Sequence, residues 1–258
     1  MADLFFTVLK SLEQFDQLEV RGVIETLLSP SDREQCFIAS YRRSTANVAT
    51  LLELKAAKHF QAISMLARAL FELAVDIRLI DVIPNSCEKM IALVDVEKLK
   101  CARKIIKFKT DHPAAKVDTT TYDAFVANNG TSVDSLQATL WPTKKVDHWS
   151  GRDLRSRVTL LKAPFEEIYD VSYPRLSWQV HSGLTGVVNL QPETFTLMCG
   201  EGFRLAVESY LETLSAMIQE FKLAKADEKI QGKMKAAKMM PFTQSPQQAQ
   251  QLLQELTS

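Results

Sequence analysis

The sequence has no excess of charge of either sign: 31 Lys and Arg balance 31 Asp and Glu over 258 residues, for a formal net charge of zero. A neutral chain creates no long-range field toward nucleic acid or an anionic membrane, so any RNA contact must come from local patches. Cysteine is sparse, and Cys36, Cys87, Cys101 and Cys199 show no paired spacing. That pattern fits reduced thiols in a cytoplasm better than a disulfide framework. No apolar run approaches the roughly 20 residues of a membrane span. Met1-Ala2-Asp3-Leu4 opens without a basic segment, so neither secretion nor membrane insertion is expected. No Gly-rich phosphate loop occurs, because Gly200-Glu201-Gly202 lies inside a helical pattern without the lysine or strand context such loops require. His59, His112, His148 and His181 have no neighbours at metal-ligand spacing, which predicts chemistry without a metal or other cofactor.

What is present is a globular balance of 46% apolar and 24% charged residues, enough to bury a core. Leu4, Val8, Leu12, Phe15, Leu18 and Val23 recur at helical spacing and predict a first helix ending near Ser29-Pro30. Ser31, three residues before Glu34, is a capping pair that opens a second long helix. From Phe60 to Ile80 the chain is apolar on nearly every side, which places that helix at the centre of the fold. Pro84 and Asn85 mark a turn before a basic helix over 88–109, and Asn129-Gly130 reads as the stop of a short helix begun at Thr120. The stretch from Thr131 to Asp147 is the least regular. Ser150 and Asp153 read as a second capping pair, Pro174 as a kink, and 192–239 as one long helix weakened by Gly200 and Gly202. The expected architecture is all-α: a single-domain, multi-helix bundle over 1–240, then a polar linker and short C-terminal helix over 241–258. Leu252, Leu253 and Leu256 give that tail its only apolar grip, either for a partner protein or second subunit, or as a frayed end.

Three polar elements stand out in this apolar pattern. Arg68 and Glu72 lie one turn apart on the most apolar helix, with Asp76 continuing the stripe. They are a buried ion pair that fixes helix register, or the wall of a site. His148-Trp149-Ser150-Gly151-Arg152-Asp153 reads as a helix start whose free donors, with Arg152 and Arg155 nearby, suit a phosphate, or as a simple capping box. Tyr173, Ser177 and His181 recur every four residues and form one stripe. Arg175 lies about 120° around an ideal helix from His181, so the two converge only through distortion or across a second subunit.

In order and spacing these elements resemble a bacterial helical family of unknown function that pairs R-x-x-x-E with His-Trp-Ser and a later S-x-x-x-H. The resemblance spans Tyr41 to Gly183. Arg175 followed by His181 is also similar to the signature of HEPN ribonucleases, with Leu176 where that signature usually carries a polar residue. That similarity implies a HEPN-like, metal-independent endoribonuclease of the toxin or antiviral-defence type, acting in the cytoplasm as a homodimer. His181 would be the general acid or base and Arg175 the phosphate stabiliser, with Arg68, Glu72, His148, Ser150, Arg152, Tyr173 and Ser177 around the substrate. RNA would be held by the basic runs 98–109 and 152–157. The alternative is a noncatalytic module that uses the same polar cluster as a pocket for a nucleotide or small signal, or as a structural network.

Overall fold

The computed structural model describes residues 2–54, 56–142, 146–180, 192–239 and 254. Of these, 82% are helical and none is in a strand, so the chain is an all-α, multi-helix protein. It divides into two compact units, 1–82 with 157–258, and 83–156. The span 1–240 that the sequence assigns to one helical domain thus holds both. The 241–258 linker and tail lie outside the described residues, apart from Gln254.

The first unit begins with α1 (Ala2–Asp16), a π-helical turn (Gln17–Arg21) and α2 (Gly22–Glu25). The π turn has a local cause. Asp16 is 0% exposed, and its carboxylate accepts hydrogen bonds from Tyr41 Oη at 2.5 Å and Arg21 Nη2 at 2.9 Å. On an α-helix Arg21 would lie about 140° around from Asp16, whereas a wider π turn brings residues five apart onto one side. Burial nonetheless pushes the Asp16 carboxyl above its ordinary range, against Tyr41 and Arg21.

Ser31 and Glu34 form the expected capping box that opens α3 (Asp32–Glu53). A short 3-10 turn (Ala57–His59) leads to α4 (Phe60–Leu79), and most of its residues, among them Ile63, Leu70, Phe71, Ala74, Val75 and Ile77, are buried. After the second unit come α8 (Phe165–Val171), α9 (Tyr173–Val180), α10 (Pro192–Glu220) and α11 (Ala224–Met239). Phe60 stacks on Phe195, Ile63 meets Gly202 and Arg78 pairs with Glu212, so α4 and α10 run parallel through the core. Gly202 lets the two helices approach closely, since a Cβ there would stand 2.7 Å from Ile63 Cγ2.

The long helix expected over 192–239 is two helices. Lys222 takes a left-handed conformation (φ 53°), and the Leu223 and Lys222 amides donate to the Ile218 and Gln219 carbonyls at 3.0 and 3.3 Å. That is a Schellman closure with lysine where glycine is usual.

The second unit holds α5 (Ser86–Asp111) and α6 (Thr120–Leu140), followed by a loop into α7 (Leu154–Leu161). Ala92, Val96, Leu99, Val133, Trp141 and Val146 form its core. The stop expected at Asn129-Gly130 is not there. Asn129 Nδ2 donates to the Phe125 carbonyl within the helix, and buried Gly130 lies against Leu99 and Arg103 of α5. Glycine serves close helix packing here, and regular helix continues to residue 140. No disulfide links the four cysteines. Among the described residues no helix is long and apolar enough to cross a membrane.

Candidate functional site

Arg68, Glu72 and Asp76 project at one-turn intervals from one face of α4, and the chain supplies a partner for each from far along the sequence. Tyr173 opens α9. Its hydroxyl accepts from Arg68 Nη2 and donates to Glu72 Oε1, each at 2.8 Å. The Arg68 guanidinium also lies over the Tyr173 ring, 4.6 Å from its centre. Phe71 and Tyr169 pack on the same ring. Burial, with the Glu72 carboxylate beside it and against the pull of Arg68, pushes the Tyr173 hydroxyl up to about 12.

Asp76 is held by Arg157 Nη1 at 2.6 Å, and Arg157 Nη2 stands 3.9 Å from Glu72 Oε2. The Arg157 side chain is only 6% exposed. Two arginines and two carboxylates therefore balance within a partly buried network, as buried charge requires. Sequence reasoning took Arg157 for part of a basic surface run, and its place is a correction. A buried arginine already bonded to Asp76 is not an open hold for RNA. The only signal available was its position beside Val158, one turn after Leu154 and one turn before Leu161.

Arg175 is exposed, and it makes no hydrogen bond or ion pair among the described residues. Two positions after Tyr173, it lies about 160° around α9 from it. Leu176, fully buried, marks the inner side, and Ser177 is half-buried one turn after Tyr173. His181 lies outside the described residues.

His148, Ser150 and Arg152 belong to the second unit. There His148 Nδ1 and Ser150 Oγ are 2.8 Å apart, the Ser150 amide donates to the same nitrogen at 3.2 Å, and the Arg152 amide donates to Ser150 Oγ at 3.2 Å. This is a tight turn, and Ser150 does not cap α7. Asp153 does, accepting from the Ser156 amide at 2.7 Å. The carboxylate of Asp153 disfavours a second anion at that helix start, so the phosphate site expected there is not formed by a free serine cap. The basic run of α5 is also largely spent: Lys98, Lys100, Arg103 and Lys107 pair with Asp95, Glu97, Asp134 and Asp111, and Lys109 donates to the Pro113 and Ala115 carbonyls.

Among the described residues no three His, Cys, Asp or Glu side chains converge as a metal-holding group. No family model matches the chain, and neither the curated proteins nor the solved structures give a match. The likeness drawn from the three sequence elements rests on those residues, and the structure adds only that the chain is all-helical.

Proposed function

We propose that this chain is a HEPN-like, metal-independent endoribonuclease of the toxin or defence type, and that α9 is its catalytic element. One observation carries the reading: α9 is tied down through Tyr173 while Arg175, on its opposite face, is exposed with its guanidinium uncommitted among the described residues. An arginine that neutralises phosphate must be available to it, and a planar fork of donors suits that task. His181 removes the proton of a ribose 2′-hydroxyl, the 2′-oxygen attacks the adjacent phosphorus, and the departing 5′-oxygen receives a proton in turn. Arg175 offsets the charge that builds on the phosphoryl oxygens. On an ideal helix the two residues lie on different sides, so distortion of the helix or pairing across a homodimer would have to join them, and the homodimer is the arrangement proposed here.

Arg68, Glu72 and Tyr173 then act as a clamp on α9 rather than as substrate contacts, since Arg68 Nη2, the Tyr173 hydroxyl and Glu72 Oε1 already bond one another, with Arg68 Nε buried beside them and without a hydrogen-bond partner among the described residues. That internal bonding is also what favours the second reading, a noncatalytic module. The test is incubation of the purified protein with a panel of RNAs beside Arg175→Ala and Arg175→Lys. The enzyme reading predicts cleavage by the wild type, loss of at least about a hundredfold with Ala, and poor rescue by Lys, which lacks the bidentate fork. RNA or nucleotide binding without cleavage, weakened by Arg175→Ala, moves the assignment to the binding module.

A further inference from the structure

The start of α9 is held from a second side. Ser172, 2% exposed, joins α8 to α9, and its hydroxyl accepts a hydrogen bond from Arg204 Nη2 at 2.5 Å. Arg204 stands on α10, with Glu201 one turn before it and Glu208 one turn after. Its terminal nitrogens also reach Glu201 Oε2 and Glu208 Oε1, each at 3.0 Å. Burial pushes the Glu208 carboxyl up, against Arg204, and its Oε2 is sealed from solvent without a hydrogen-bond partner among the described residues. Ionic groups in such surroundings cost desolvation energy, so this is an expensive way to hold one serine unless the orientation it fixes matters.

Ser172 and Tyr173 are consecutive, and each is gripped by an arginine from a different helix, α10 and α4. An eight-residue helix is marginal by itself. Its direction is therefore set by these two grips and by the burial of Leu176. We propose that Arg204, fixed by Glu201 and Glu208, is a positioning residue that acts through Ser172 to set the direction in which α9 presents Arg175. The inference rests on the reading of α9 as the catalytic element. Arg204 touches no substrate; its effect passes through the backbone of 172–175.

The test combines hydrogen exchange and kinetics on the full chain. Ser172→Ala removes only the link to α9 and leaves the α10 ion pairs whole, while Arg204→Gln with both Glu201→Gln and Glu208→Gln removes the strut without stranding a charge. Each is expected to speed exchange over 173–180 by about tenfold, the effect of one lost charge-assisted hydrogen bond on local opening, with α1 unchanged. Arg204→Lys should not restore protection, because lysine cannot hold two carboxylates and a hydroxyl in one plane. On RNA, Ser172→Ala should lower kcat more than it changes KM, and should add nothing in an Arg175→Ala background. Normal cleavage with unchanged exchange in α9, or losses that simply add to those of Arg175→Ala, overturns the positioning role and leaves the catalytic reading standing. A wild type that leaves RNA intact removes the catalytic reading, and this inference with it.

Discussion

A single hydroxyl on Tyr173 accepts from one charged group and donates to another, so Tyr173→Phe leaves both Arg68 and Glu72 short of a partner. Thermal or urea unfolding should show a loss of about 1–3 kcal/mol, the range for removing one side of a partly buried charged hydrogen bond. Its pH dependence has a definite sign. The folded pKa, about 12, exceeds the ordinary tyrosine value of 10.0, so the native state holds this proton more tightly than the unfolded chain does. The advantage of the wild type over Tyr173→Phe should be whole below pH 10 and shrink as pH rises toward 12; an advantage that grows over that window contradicts the geometry. The sequence exposes half of this network. Arg68 and Glu72 share a helix, and a four-residue spacing announces their common face. Tyr173 stands 101 positions from Glu72, and no local pattern encodes which distant residue answers a buried charge. Glu201, Arg204 and Glu208 were nearer to legible, since their spacing of three and four within an apolar helix is the same kind of signal.

Two glycines separate the helices that sequence reads well from those it does not. Gly130 looks like a helix stop, yet it lies inside α6, and a Cβ there would meet Leu99, Arg103 and Val126 only at ordinary contact distances of 3.7 to 3.9 Å. Gly130→Ala should therefore stabilise the protein by about 0.5–1 kcal/mol through helix propensity. A glycine with a left-handed backbone would give the opposite sign. Gly202 is the contrasting case, because its Cβ would press on Ile63 Cγ2 at 2.7 Å. Gly202→Ala should cost about 1–2 kcal/mol, overpacking outweighing the same propensity gain. Differential scanning calorimetry of the two variants checks both signs at once. Helix starts were legible where a capping pair such as Ser31 and Glu34 writes them into the chain. The end of α10 was not, because Lys222 closes it in a conformation that sequence associates with glycine or asparagine.

Over the whole molecule, zero net charge takes a concrete form. Many of the cations that sequence offers as RNA contacts are committed to carboxylates within their own unit, as Arg103 is to Asp134 and Arg157 to Asp76. Arg175, like Arg42, Arg43 and Arg152, is an exposed arginine left out of that pairing among the described residues, and the functional reading centres on α9 because the Arg175 and His181 spacing falls there. The all-α class was legible because helical periodicity is local and repeated. The division into two units was not, since the chain leaves the first unit after Val82 and returns at Arg157, inside α7 rather than at a loop. The most direct measurement of the central claim is RNA cleavage by the full chain in a metal chelator, followed across pH 5–9, with His181→Ala alongside. The account predicts that cleavage persists in the chelator, that its rate depends on pH around neutrality, as general acid–base catalysis by a histidine requires, and that Ala at position 181 abolishes it while circular dichroism stays helical. Intact RNA with the wild type, or equal cleavage by His181→Ala, contradicts it.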